Sequence, residues 1–312
     1  MANISIIIVN WNAKGYLYDC LASIQATRGT FVLEIIVVDN ASSDGSQDMV
    51  VSEYPEVILI RSSTNLGFAR ANNLGIQQAK GDFVALVNSD VVVHPNCFQH
   101  LTTYLEAKPD VGLVGPKVIG RDGNVQSSCG KLPGLWNTMC EFLLLHKCFP
   151  RLALFSGFQI RNLDYLRPVE VQVLSGCFCV ARRSAIEKVG GLDERFFFYA
   201  EDVDWSKRFH DSGWKLVYVP SASATHFGGG SSAKAPLRYS IEMLRANLMY
   251  WKKHHGNWGR AVFFVLATVQ HGIRLCVRSG MRIARVGNAE ACNHKIEEHQ
   301  VCLRWLFTGR GV

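Results

Sequence analysis

Four short apolar runs, each ended by a polar cluster, constrain the fold of this chain more than any other feature. Residues 4–9, 33–38, 57–61 and 82–87 have strand length and near-continuous hydrophobicity. That pattern belongs to strands covered on both faces. Between them, residues 14–27 set Leu17, Cys20, Leu21 and Ile24 at helical spacing. A second helix is expected to run from an N-cap at Ser43 to Glu53, and a third to open within residues 65–75. Strand–helix alternation at this rhythm predicts an α/β fold, a mostly parallel sheet flanked by helices. In such a sheet the loops that follow the strands open on one carboxyl edge, where ligands are held. Asn10–Asn12, the loop 39–46 and Asn88-Ser89-Asp90 are therefore expected to converge.

The chemistry of these clusters follows from residue type. Asp90 ends a buried strand, and one carboxylate plus substrate phosphates is a common way of holding Mg²⁺ or Mn²⁺. The same Ser89-Asp90 pair would also serve to cap the helix expected over residues 95–107. Asp39 offers an acceptor for a ribose hydroxyl or a base N–H, or a turn residue. No G-x-G-x-x-G follows the first strand and no P-loop is present, which disfavours a dinucleotide fold.

Further along, residues 111–118 read as a strand followed by a turn at Arg121-Asp122-Gly123-Asn124. Residues 130–168 mix apolar, aromatic and basic groups without clear period, as an insertion beside an acceptor pocket, a membrane contact or a surface loop would. Residues 171–182 read as one core strand broken by Gly176, where a glycine marks a bulge or a close ligand. After four aromatics come Glu201, Asp202 and Asp204 at the start of a helix reaching residue 211. Acidic groups there suit the helix dipole; a carboxylate beside an apolar wall also suits a general base. A last strand over 215–219 leads to His226 before a glycine-rich loop, where the imidazole would ligate a metal, contact a phosphate or serve structurally.

Charge divides the chain. Residues 1–231 carry 20 Lys/Arg against 22 Asp/Glu, and residues 232–312 carry 13 against 4. A near-neutral body with a basic tail points to an anionic surface or ligand, and the lack of any nucleic-acid motif disfavours nucleic acid as the partner, so none is expected. In the tail, His271, Arg274, Arg278, Arg282 and Arg285 recur at helical spacing, as in a basic amphipathic helix lying on a membrane. The longest apolar run, residues 261–269, is too short to cross a bilayer. Ten cysteines without a C-x-x-C pair or a signal peptide fit a reducing cytosol. The expected division is a catalytic domain over 1–232 and a helical extension over 233–312.

The blocks 38–46, Asn65-Leu66-Gly67-Phe68-Ala69, Asn88-Ser89-Asp90 and Glu201-Asp202-Val203-Asp204-Trp205, in this order across residues 4–232, resemble family 2 inverting glycosyltransferases. The nearest likeness is to the bacterial rhamnosyltransferase-like branch that builds O-antigen and other cell-surface polysaccharides. The resemblance implies a GT-A fold, a nucleotide-diphosphate sugar donor, a divalent metal (Mg or Mn) and a lipid-linked saccharide acceptor. It also implies peripheral attachment to the cytoplasmic face of the cell membrane. It assigns the acceptor base to Asp202 with Glu201 and Asp204 in support, and the metal to Asp90 with His226. Donor binding falls to Asn10, Asn12, Asp39, Asn40, Asn65, Gly67, Asn72, Asn88 and Ser89. Rhamnose from dTDP-rhamnose is the expected sugar. UDP- or GDP-sugars, an inactive nucleotide-sugar-binding scaffold and a nucleotidyltransferase are the alternatives. Asn88 stands where a stricter D-x-D pattern has Asp, leaving one certain carboxylate for the metal.

Overall fold

The computed structural model describes residues 3–27, 32–149, 151–160, 166–228, 236–286 and 288–310. In chain order it contains β1 (Asn3–Asn10), α1 (Lys14–Ala26), β2 (Val32–Asn40), α2 (Ser46–Glu53), β3 (Ile58–Ser62), α3 (Phe68–Gln78), β4 (Phe83–Asn88) and β5 (Val91–Val93). There follow α4 (Cys97–Ala107), β6 (Val111–Ile119), β7 (Cys129–Gly130), α5 (Leu135–Phe142), α6 (Leu145–Cys148), β8 (Val169–Val171), β9 (Val173–Leu174) and β10 (Phe178–Arg182). The chain closes with α7 (Arg183–Val189), α8 (Glu201–Asp211), β11 (Lys215–His226), α9 (Pro236–Ile283) and α10 (Ala289–Thr308).

The main sheet runs β3-β2-β1-β4-β10-β6-β11-β5, with β8 on β11. β3, β2, β1 and β4 are mutually parallel, as are β6 and β11, while β10 lies antiparallel between β4 and β6. The sheet is buried on both faces. Ile4, Ile6 and Ile8 pack with Val37 and Ala85 on one side, and Ile7 with Ile36, Val84 and Leu86 on the other. Each such isoleucine, leucine or valine side chain contributes roughly 1.5–3 kcal/mol by leaving water. Ile6→Ala, at a position with no exposed surface, would cost about 2–5 kcal/mol by adding a cavity.

Several local expectations change. Residues 171–182 do not form one broken strand. β9 pairs with β7 in a separate two-stranded sheet, and the chain turns at Ser175–Cys177 before β10 joins the main sheet. The last strand does not stop at 219 but continues to His226, because β5 and the end of β6 offer it further partners. Ser43 is not the cap of α2. Asp44 Oδ1 accepts from the Ser46 N–H at 3.1 Å instead, and its Oδ2 accepts from the Lys14 N–H at 2.8 Å. Nor do Ser89 and Asp90 cap α4: they form the turn from β4 into β5, and Asn96 precedes α4 without a side-chain cap.

The chain falls into two compact units, residues 1–132, 158–197 and 201–231, and residues 133–157, 198–200 and 232–312. The first holds the sheet. The second holds α5, α6, α9 and α10, so most of the segment expected as an insertion groups with the C-terminal helices. Helix α9 is interrupted at Gly256, whose φ of 69° and ψ of −166° are not helical. Beyond this kink, Phe263, Ala267 and His271 are buried, as are Cys292, His299, Cys302 and Trp305 of α10.

The most open face of α9 is not the basic one. Trp258, Val265, Val269, Ile273, Val277 and Ile283 are exposed, with Ile283 83% so. At 100° per residue they share one side of the helix, and Arg274 and Arg278 fall on the other. His271, expected on the basic exposed face, is buried with its Nδ1 3.1 Å from that of His299. By length and composition one stretch of α9 is apolar enough to cross a membrane, which the run 261–269 taken alone did not indicate.

Candidate active site

Strand register assembles the site. Asn10 lies opposite Asp39, and Val9 opposite Asn88, so the ends of β1, β2 and β4 form one carboxyl edge. Antiparallel β10 enters at the same edge, where the Asn88 N–H donates to the Cys177 carbonyl at 2.9 Å. The sequence-expected clusters do converge.

On the β1–β2 side the polar groups are turned on one another. Asp39, 1% exposed, accepts from Asn10 Nδ2 at 3.1 Å, the Ser42 N–H at 2.9 Å and Gln47 Nε2 at 2.7 Å. Asn12 donates its N–H to Ser42 Oγ at 2.9 Å and accepts from the Ser43 N–H at 2.8 Å. Asn40 Nδ2 donates to Asn65 Oδ1 at 2.9 Å, and its Oδ1 accepts from the Leu66 N–H at 2.7 Å. Asn72 is buried, with Nδ2 on the Phe68 carbonyl at 2.9 Å. Gly67 has φ 79°, and a Cβ there would stand 2.5 Å from the Phe197 carbonyl oxygen. Only glycine allows both that backbone and that approach. The result is a loop set fixed before any ligand arrives, with the Asn10 Oδ1 left buried and unpartnered.

The β4–β11 side gathers Asp90 and His226. Val91 is the register partner of His226, and the Phe227 N–H donates to the Asp90 carbonyl at 3.0 Å. His226 Nε2 consequently stands 3.3 Å from Asp90 Oδ1. A lone nitrogen and a carboxylate oxygen at this separation can ligate one cation with bonds of about 2.1 Å. Beside them the Asn88 Oδ1 is buried without a partner. Among the described residues no three His, Cys, Asp or Glu side chains come together as a complete metal cluster. The pair fits a hard cation that draws its remaining oxygens from a ligand and water. Arg121 donates to the Tyr16 hydroxyl at 2.8 Å and lies over the Phe227 ring at 5.5 Å. It brings a guanidinium to the same corner.

The acid pair comes from α8. Asp202 Oδ2 accepts from the Gly176 N–H at 2.9 Å, and Oδ1 from the Val203 N–H at 2.8 Å. Burial nevertheless raises its pKa above the ordinary carboxylate value, outweighing these hydrogen bonds. Glu201 is buried with Oε2 unpartnered. Burial first, then the neighbouring Asp202 charge, pushes its pKa well up. Asp204 does different work. Fully buried, it accepts from Arg208 Nε at 2.9 Å, and Arg208 also donates to the Val189 and Gly191 carbonyls. That ion pair fastens α8 to the end of α7. Tyr199 and Ala200, just before the acids, have φ of 72° and 63°. Left-handed backbone of this kind costs about 1–3 kcal/mol per residue and clusters at functional sites.

The family description "Glycosyl transferase family 2" matches residues 5–190. The chain belongs to that family. A Mycobacterium tuberculosis relative, N-acetylglucosaminyl-diphospho-decaprenol L-rhamnosyltransferase, is 30% identical over 295 residues, covering 90% of this chain and 94% of that protein. The poly-beta-1,6-N-acetyl-D-glucosamine synthase of Staphylococcus aureus is 25% identical over 71% of this chain and 49% of its own length. Among solved structures, GalNAc-T7 with UDP, GalNAc and Mn²⁺ superposes with a TM-score of 0.59 at 15% identity, over 98% of this chain and 56% of that one. The Pyrobaculum calidifontis mannosyltransferase in complex with GDP-Man and Mn²⁺ gives 0.58 at 15% identity, over 97% and 87%. The family 2 glycosyltransferase described here therefore has the expected GT-A fold.

Sequence reasoning missed three members of this glycosyltransferase site. Gln47 holds Asp39, Gln126 holds His226, and Arg121 brings a guanidinium to the corner. The turn containing Arg121 was visible, but only the return of β11 beside β6 shows what it approaches.

Proposed function

We propose that this glycosyltransferase moves rhamnose, from dTDP-rhamnose, onto a hydroxyl of a polyprenyl-diphosphate-linked saccharide, inverting the anomeric centre. What carries the reading is the placement of Asp202 at the same sheet edge as the Asp90–His226 pair; the mycobacterial relative supports the choice of sugar and acceptor. Asp39 has three of about four acceptor positions filled from within the protein, leaving room for one donor from the nucleoside. Asp90 and His226 would hold Mg²⁺ or Mn²⁺, with Asn88 and Ser89 beside them and Arg121 facing the diphosphate. When bound, such an ion offsets charge on the departing diphosphate. Asp202 takes the proton of the acceptor hydroxyl as the new carbon–oxygen bond forms and the bond to phosphate breaks. Its raised pKa makes it a better base than an ordinary carboxylate, and base catalysis of this kind gives about 10²–10⁴-fold. Glu201, pushed up by burial first and then by the Asp202 charge, would be the member of the pair that holds its proton more firmly.

A lipid-linked acceptor requires the enzyme at a membrane. Trp258, Val265, Val269, Val277 and Ile283 offer an apolar helical face, and the net charge of residues 232–312 favours an anionic leaflet. The helix is read as lying in the membrane plane rather than crossing it. A crossing would draw Arg274 and Arg278 into the bilayer at about 2.5–3.5 kcal/mol each. The cytoplasmic leaflet, where nucleotide sugars are available, is the proposed location.

The test is a donor screen. Full-length protein with Mn²⁺ and a polyprenyl-diphospho-N-acetylglucosamine acceptor is incubated with dTDP-rhamnose, UDP-sugars and GDP-sugars, reading sugar transfer with and without EDTA. EDTA-sensitive transfer from dTDP-rhamnose is expected. Transfer from another donor would overturn the sugar assignment, and binding without turnover of any donor would point to a scaffold.

A further inference from the structure

Gln126 reaches its place on a tightly defined turn. Beyond β6 the Gly120 N–H donates to the Asn124 carbonyl at 2.7 Å, and Asp122 Oδ1 accepts from the Asn124 N–H at 3.1 Å. Val125 bridges Ile119, and the Gln126 N–H donates to the Val118 carbonyl at 2.9 Å. Its side chain then makes two contacts with one residue. Nε2 donates to the His226 carbonyl at 3.0 Å, and Oε1 lies 2.9 Å from His226 Nδ1.

This double contact fixes a proton. A backbone carbonyl can only accept, so the amide must turn its NH₂ toward the His226 oxygen. Its Oε1, which can only accept, then faces Nδ1, so Nδ1 must carry hydrogen. In the neutral ring that leaves the lone pair on Nε2, the atom 3.3 Å from Asp90 Oδ1. A lone pair opposite a carboxylate is repulsive until a positive species lies between them. Histidines that bind metals commonly have their second nitrogen held in this way, which fixes both tautomer and ring orientation.

We infer that Gln126 is a positioning residue that sets His226 in its Nδ1–H tautomer and aims Nε2, with Asp90, at a divalent cation. This rests on the metal reading above, but concerns a residue no sequence motif marks. The turn 120–126 is thus part of the donor site's machinery, with Gln126 acting through His226.

The experiment uses the full chain and three variants. In wild-type protein without metal, the ring ¹⁵N shifts of His226, assigned by loss in His226→Ala and read in the neutral form of the ring, should report a protonated Nδ1 and a bare Nε2. Gln126→Leu should give a mixture of tautomers. Mn²⁺ is then titrated in the presence of dTDP. Gln126→Leu should weaken Mn²⁺ about 10–100-fold, the usual effect of removing such a partner, with an unchanged melting temperature. Gln126→Glu, which keeps an acceptor on Nδ1–H, should recover most of that affinity. A wild-type ring protonated on Nε2 alone, or a folded Gln126→Leu with wild-type Mn²⁺ affinity, would overturn the inference. Absence of Mn²⁺ binding by the wild type would remove the metal reading and this one with it. Because the ring is read before metal is added, a wrong tautomer and a missing metal site give different results.

Discussion

The two units are built inside out relative to each other. In the unit that holds the sheet, isoleucines and valines fill it, and polar groups collect at its carboxyl edge. In the second unit, two histidines are buried between α9 and α10, while tryptophan, valine and isoleucine face outward. Each unit also buries a pair of like titratable groups, Glu201–Asp202 in one and His271–His299 in the other. Burial drives both pairs toward neutrality, from opposite sides: the acids are raised and the histidines lowered, His271 to about 4. A surface facing water needs polar groups outside; a surface facing lipid does not.

The most damaging way to break the comparison is at the acid proposed as the acceptor base. Asp202→Asn should lower sugar transfer about 10²–10⁴-fold, with dTDP binding in a calorimetric titration nearly unchanged. Loss of nucleotide binding instead would place Asp202 among the donor contacts.

The histidine pair comes next. Its folded pKa values lie below the unfolded one, so the unfolded chain binds more protons as pH falls from about 6.5 toward 4. Stability is lost across that window, by on the order of 3 kcal/mol for His271 at its lower end. The charged groups around the pair act in both directions: Arg274, Arg278 and Lys295 disfavour protonation, and Glu298 favours it. Urea melts at pH 7 and 4.5 should show the loss in the wild type and a smaller one in His271→Leu/His299→Leu.

Glu201 should show the reverse sign. Its raised pKa means the folded chain holds the proton more tightly, so its contribution falls as pH rises from the unfolded value near 4.5 through the folded one. Glu201→Gln should remove that slope and be no less stable than the wild type at pH 8; a strongly destabilised variant would show that the charged form is needed. The smallest effect belongs to the outward face. Val269→Lys/Val277→Lys should weaken sedimentation with phosphatidylglycerol-containing vesicles roughly tenfold, about 1.4 kcal/mol. Unchanged vesicle binding would return the lipid contact to the basic residues.

The sequence made the first half of the fold easy to read, because β1, β2 and β4 announce themselves as apolar runs and their loops must share an edge. It also singled out Asp39, Asp90 and Asp202 as candidates through residue type and family likeness. It did not reveal β10 as an antiparallel insertion, since residues 171–182 look continuous until Ser175–Cys177 turns between two sheets. Gln47 and Gln126 were invisible for a different reason: a neutral amide acquires meaning only from the partner opposite it. His271 misled because helical spacing shows which residues share a side, not which side a neighbouring helix will cover.

Cysteine burial has a practical consequence. Eight of the ten thiols are buried or half-buried, and only Cys148 and Cys276 are exposed. Burial raises the pKa of Cys20, Cys97, Cys177 and Cys179, which makes them poor nucleophiles toward alkylating dyes. Cys276 sits among the outward apolar residues of α9, and Cys148 lies in α6. With Cys148→Ser as the sole change, an environment-sensitive fluorophore can be placed on Cys276 of the otherwise native enzyme, giving an optical signal for lipid arrival that needs neither donor nor acceptor.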